Sequence, residues 1–166
     1  MQRKSEFWLI GAIIFTIISL LTTSFLASSS FEKIDDYFLY NIIEEFGRCV
    51  NIENCTLRNF TDFVRFVCYE RSYNLSLIYF YCNITHLEIG NFYNRDINVT
   101  INSEIGSTNL IILDNQTIFY ELSEIGKYLN ISYPAGEIHL TCNKKTIARD
   151  ICLSFLNTLK CFSDIS

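Results

Sequence analysis

Leu77-Ile78-Tyr79-Phe80-Tyr81-Cys82-Asn83-Ile84-Thr85-His86-Leu87-Glu88-Ile89 decides the fold class. β-Branched and aromatic side chains crowd this stretch, and such residues suit the pleated surface of a sheet. Downstream, Ile97-Asn98-Val99-Thr100-Ile101 alternates with period two, which marks a strand with one face buried. Leu110-Ile111-Ile112-Leu113 predicts a buried strand before a turn at Asp114-Asn115. Ile118, Leu122, Ile125 and Leu129 fall at helical spacing and predict a helix. Tyr133-Pro134-Ala135-Gly136 then breaks the chain, and three short strands are expected, Glu137 to Cys142, Ala148 to Leu153 and Leu159 to Phe162.

Upstream of the deciding stretch the period is helical. Ile34, Tyr37, Phe38, Ile42 and Phe46 make an amphipathic stripe with Gly47 as its stop, although the aromatics of Asp36-Tyr37-Phe38-Leu39-Tyr40 also suit an extended strand. Phe60, Phe63, Val64, Val67 and Cys68 make a second helical stripe, with Asn59 where an N-cap would sit. Helices, strands, a helix and strands again predict an α+β class. The expectation is a single disulfide-stabilised domain, with a central antiparallel-rich sheet and flanking helices, behind an N-terminal hydrophobic leader.

That leader is the uncharged run Phe7 to Ala27, preceded by Arg3 and Lys4. Its length suffices for about 30 Å of hydrocarbon, which favours a retained anchor. Thr22, Thr23 and Ser24 dilute its second half, and Ala27-Ser28-Ser29-Ser30 suits a signal peptidase, which favours cleavage. Residues 1–30 are therefore a signal peptide or a signal-anchor helix. Either way residues 31–166 form the lumenal or extracellular part, and membrane contact is confined to residues 7–27 if the leader is uncleaved. The protein is expected in the secretory pathway, secreted or as a type II single-pass membrane protein with its C-terminal domain outside.

Seven cysteines, all beyond the leader, read as a disulfide framework with one thiol left over. Cys49 with Cys55 and Cys152 with Cys161 are each close enough in sequence to bond. Cys68, Cys82 and Cys142 compete for one further bridge, and Cys68, on an apolar helical stripe, is the expected odd thiol. Without Cys-x-x-Cys and with two histidines in the chain, no metal site is expected, and no cofactor. Sequons occur at Asn54, Asn59, Asn74, Asn83, Asn98, Asn115 and Asn130. They predict a heavily glycosylated surface whose covered faces are not tight interfaces. The chain carries a net charge of −5, and the lumenal part is more acidic still once Arg3, Lys4 and Glu6 are set aside, which speaks against general nucleic-acid binding.

Asp36-Tyr37-Phe38, then Cys49, Ile52-Glu53-Asn54-Cys55 and Asn59-Phe60-Thr61, resembles the opening of the T2 ribonuclease family, its plant S-RNase branch above all. Tyr133-Pro134, Leu140-Thr141-Cys142-Asn143-Lys144, Asp150-Ile151-Cys152 and Lys160-Cys161 are similar to that family's closing segments. The resemblance implies an Asp-Tyr-Phe strand at the start and an RNA-cleaving site built on two histidine motifs. This chain has neither motif. Phe63 stands where the first histidine would be, and phenylalanine transfers no proton.

The two remaining histidines lie on predicted strands. His86 and Glu88, two apart, share a strand face, and His139 sits between Ile138 and Leu140. No nucleophile or basic clamp accompanies them, so both read as ordinary strand histidines. Asp35-Asp36 and Glu44-Glu45 read as a solvated helix face. The sequence thus predicts no catalytic residues and a non-catalytic T2-ribonuclease-like glycoprotein that binds a protein partner. The alternatives are an active secreted hydrolase with unrecognised histidines and an unrelated small type II membrane glycoprotein.

Overall fold

The computed structural model describes residues 36–52, 55–155 and 158–165. The leader, Ile34, Asp35 and the sequon at Asn54 lie outside them. By its contacts the chain divides between Ile43 and Glu44. Residues 36–43 are helical and belong to the first part, and every described strand belongs to the second.

The class is α+β. β1 (Asn74–Cys82) is the central strand of a five-stranded antiparallel sheet, ordered β5-β2-β1-β8-β9, with β2 (His86–Phe92), β5 (Gln116–Glu121), β8 (Thr146–Phe155) and β9 (Thr158–Ile165). β3 (Ile97–Ser103), β4 (Ser107–Ile112), β6 (Tyr128–Tyr133) and β7 (Gly136–Thr141) make a second sheet, ordered β4-β3-β6-β7. The expected antiparallel sheet is present, and a second antiparallel sheet stacks on it face to face. Their facing side chains form one core: Ile78, Phe80, Leu87 and Ile89 from the first sheet meet Val99, Ile101, Ile131 and Leu140 from the second. β1 and β8 are covered on both faces, which is why Leu77-Ile78-Tyr79-Phe80 is buried without alternation. On the side away from the second sheet, Tyr79 meets Phe46 of the helical stretch 36–49 (α1), and α2 (Leu57–Glu70) packs along β1.

The deciding stretch is a hairpin. Asn83 supplies its turn: Oδ1 accepts from Thr85 N–H, the Thr85 hydroxyl and His86 N–H at 2.8–3.0 Å. Asn91, fully buried, ties the strand end to the corner between β4 and β5 by donating from Nδ2 to the carbonyls of Arg95, Ile112 and Leu113.

Several expectations are corrected. Residues 36–38 are helical, as the stripe predicts and not extended as the alternative has it, but the helix runs through Gly47 to residue 49, so Gly47 is no stop. Thr56, not Asn59, caps α2: its side chain accepts from Asn59 N–H. Leu110–Leu113 is not a buried strand. It ends the edge strand β4, where Ile112 is buried while Ile111 and Leu113 are exposed. No helix spans Ile118 to Leu129. Ile118 lies on β5, a single turn α3 (Leu122–Ile125) follows, and Leu129 lies on β6. Two strands and a helical turn enter one core here, and the spacing of their apolar residues only mimics a helix. Gly126, at φ 84°, ends α3 against the Glu104 side chain, whose oxygens accept from Lys127 and Tyr128 N–H.

Three disulfides hold this arrangement: Cys49–Cys55, Cys82–Cys142 and Cys152–Cys161. Cys82–Cys142 joins the end of β1 to the end of β7 and so fastens one sheet to the other.

Candidate binding surface

α2 presents two unlike faces. Leu57, Thr61, Val64 and Cys68 recur at i, i+4, i+7 and i+11 and are buried. Phe60 adds an edge-on contact to Phe46 at 4.9 Å between ring centroids. This corrects the expected stripe, which places Phe63 on the same face as Val64 and Cys68. Phe63 and Phe66 point outward, 61% and 62% exposed, with Tyr69 at 79%. The helix is apolar over so much of its circumference that spacing alone does not choose which stripe faces the sheet.

The outward face is held rigidly. Cys49–Cys55 fixes the entry of the helix, and Arg65 spreads over the Phe92 ring at 5.8 Å while donating to Asn115 Oδ1 at 2.9 Å. At the exit Ser72 takes φ 60°, and Tyr73 N–H returns to the Cys68 carbonyl. Phe66, Tyr69 and Tyr73 border a groove of about 330 Å³ that Asn74 and Asn94 close at the far end.

Of the described sequons, Asn59 lies on this face, Asn74 and Asn115 beside it, Asn98 and Asn130 on the outer face of the second sheet and Asn83 in the β1–β2 turn. Asn59 is exposed in the first turn of α2, Asn74 at the start of β1, and Asn115 in the β4–β5 turn beside Arg65. Asn98 and Asn130 lie on the outer face of the second sheet, where Asn98 is exposed and Asn130 half-buried. Asn83 uses its Oδ1 in the hairpin turn.

The titratable groups are dispersed. His86 is half-buried on β2, on the helix-covered face with Glu88; His139 is exposed on β7, on the outer face of the second sheet. The two rings project from opposite faces of a sheet pair whose layers are about 10 Å apart, so they do not meet as an acid–base pair. His86 lines a cleft of about 560 Å³ with Thr85, Glu121, Ser123 and Lys127. Each hydroxyl there gives its proton away from the ring: Thr85 to Asn83 Oδ1 and Ser123 to Glu121 Oε2. Thr85 Oγ1 also lies 3.1 Å from His86 Nδ1.

Beneath the helices, the Tyr79 hydroxyl donates to Glu88 Oε1 at 2.7 Å. Burial pushes the Tyr79 phenol far above its usual range and raises the Glu88 carboxyl, against the hydrogen bond from Tyr79 and the charge of His86. Cys68 is a free, buried thiol that burial pushes up to about 12, so it stays protonated at neutral pH. Arg149, buried at the level of Tyr79, pairs with Asp164 at 3.3 Å; burial lowers its pKa and Asp164 opposes the shift. The acidic pair Glu44-Glu45 is exposed and turned to Arg48 on the same helix.

No family model, curated protein or solved structure matches this chain. Three disulfides in a chain of this size are compatible with the oxidising conditions of the secretory pathway or the cell exterior.

Proposed function

We propose that the protein is a secreted or surface glycoprotein that acts by binding a protein partner through the outward face of α2, and that it carries out no catalysis. The observation that carries this reading is the row Phe63, Phe66 and Tyr69, three exposed aromatics on one helix face whose backbone is pinned at both ends. Contiguous exposed apolar surface on a soluble domain marks an interaction site, and aromatic side chains dominate interface energetics. Asn59 lies on this same face, four residues before Phe63 and seven before Phe66, and Asn74 and Asn115 flank it. Glycans there would admit only a partner that reaches between them.

The T2-like ends belong to the same reading as a scaffold without its proton carriers. Phe63, which that resemblance aligns with a catalytic histidine, contributes to the binding face instead. The test is twofold. Labelled glycoprotein is expected to bind saturably to cells that present the partner, and Phe63→Ser with Phe66→Ser to abolish this without lowering thermal stability. The same preparation is expected to leave single-stranded RNA intact from acidic to neutral pH. Cleavage that disappears in His86→Ala or His139→Ala would overturn the reading in favour of a secreted hydrolase.

A further inference from the structure

We propose that β9 is a self-association edge: two copies of the chain pair antiparallel along it, about a two-fold axis at Phe162, and join their five-stranded sheets into one. β9 ends its sheet, and among the described residues it pairs with β8 alone. Cys152 and Cys161 face each other with Cα atoms 4.1 Å apart, the close spacing of a non-hydrogen-bonded antiparallel pair. The N–H and C=O groups of residues 159, 161, 163 and 165 therefore point away from β8, toward the side on which no described strand pairs. Such a row is a template for another strand.

The sequence of β9 complements itself when reflected about Phe162. Cys161 meets Ser163 and Leu159 meets Ile165 of the second copy, all four from the outward-directed set, so these are the hydrogen-bonded pairs. Between them Lys160 meets Asp164 and Phe162 meets its own twin, in the pairs where side chains approach most closely. The faces agree as well. Lys160, Phe162 and Asp164 stand opposite Leu153, Ile151 and Arg149 of β8, on one side of the sheet, and the four odd-numbered residues lie on the other. Lysine on an edge strand ordinarily discourages pairing; in this register each lysine meets an aspartate. Moving the axis to Cys161 sets Lys160 against Phe162 and loses both charge pairs. Leu159 and Ile165, 67% and 50% exposed, gain cover in the pair. The Cys152–Cys161 bridge already fixes the strand, so little ordering is left to do on association.

A closed, isologous interface of this kind ends at the dimer. It does not depend on the partner proposed for α2. No sequon lies on β9 itself.

The full-length chain, made in eukaryotic secretory cells with two different tags, is expected to co-precipitate with itself. Phe162→Cys is expected to give a covalent dimer on non-reducing gels, because a non-hydrogen-bonded pair brings the two Cα atoms within disulfide reach. Ile165→Cys, which meets Leu159 rather than itself, is expected to give none. Ser163→Pro removes an outward N–H that β8 does not use, and should lower co-precipitation about tenfold or more. Covalent dimer from Phe162→Cys no greater than from Ile165→Cys, or undiminished association of Ser163→Pro, would overturn the proposal. Glycosidase treatment of the same blots reads the glycoprotein assignment separately, so the two can fail independently.

Discussion

Gly90 lies directly opposite Tyr79 across the β1–β2 pair, and a Cβ on residue 90 would fall 2.3 Å from a ring carbon of that tyrosine. The ring cannot retreat. It stacks on Phe92, leans on Phe46 and holds its hydroxyl on Glu88. Gly90→Ala is therefore expected to destabilise by about 3 kcal/mol or more, at the upper end of overpacking effects. In a double-mutant cycle read by chemical denaturation, Tyr79→Ala should absorb most of that cost. Additive losses would show that residue 90 is constrained by something other than the ring.

Glu88 gives the fold a pH dependence. Burial raises its carboxyl pKa above the unfolded value, so the folded state keeps the proton over a range where the unfolded chain has released it. The group's contribution is present in full below the unfolded pKa and is lost as pH rises through the folded one. Glu104 runs the other way. Backbone N–H groups, Lys127 first, hold its pKa down, so its contribution is present above the unfolded pKa and is lost as pH falls through the folded one. Melting temperature is expected to peak in mildly acidic solution, and Glu88→Gln, which keeps an acceptor for Tyr79, should flatten the decline toward neutral pH. Glu88→Ala leaves the buried hydroxyl without that acceptor and should cost about 1–3 kcal/mol.

The three disulfides should rank by the loops they close. Cys82 and Cys142 are 60 residues apart, Cys152 and Cys161 are 9, and Cys49 and Cys55 are 6. Chain entropy then gives roughly 4 kcal/mol for the first and roughly 2–3 kcal/mol for each of the others. Paired Cys→Ala variants compared by denaturant midpoint test the order. A smaller loss at Cys82–Cys142 than at Cys49–Cys55 would mean that the sheets hold together without their fastening.

The strands of this fold were legible where burial follows the backbone period. Ile97 to Ile101 shows its alternation directly, and Leu77 to Phe80 shows the continuous apolar run of a strand covered on both faces. The split into two sheets was not legible, because it is set by corners such as the one Asn91 ties across to Ile112 and Leu113, over more than 20 residues. Ile118 to Leu129 misled for a related reason: spacing records that residues share a core, not that they share an element. On α2 the aromatic count was visible, but which aromatics face water depends on the sheet beneath. Only Thr61 and Cys68, small enough to lie flat against it, mark the buried side.

Asn59 and Thr61 belong to one sequon but do different structural work. Asn59 is exposed and does not cap the helix, whereas Thr61 is fully buried and its hydroxyl donates to the Leu57 carbonyl at 2.8 Å. Asn59→Gln and Thr61→Ala should remove the same glycan and the same mass. Their stabilities should part: Asn59→Gln within about 0.5 kcal/mol of the parent once glycans are trimmed, Thr61→Ala lower by about 1 kcal/mol or more. Thr56 completes the comparison, since it caps α2 and also ends the sequon of Asn54. Thr56→Ala should cost about 1 kcal/mol as a lost cap, and Thr56→Ser should restore both the cap and the glycan. Because the Thr61 hydroxyl is sealed beneath α2, any glycan transfer to Asn59 would have to precede folding of the helix onto the sheet. Folded, unglycosylated protein offered to an oligosaccharyltransferase in vitro is expected to gain no glycan at Asn59, and the same chain denatured to gain one. Equal modification of the folded and denatured forms would mean that α2 lifts from β1 far more readily than its packing implies.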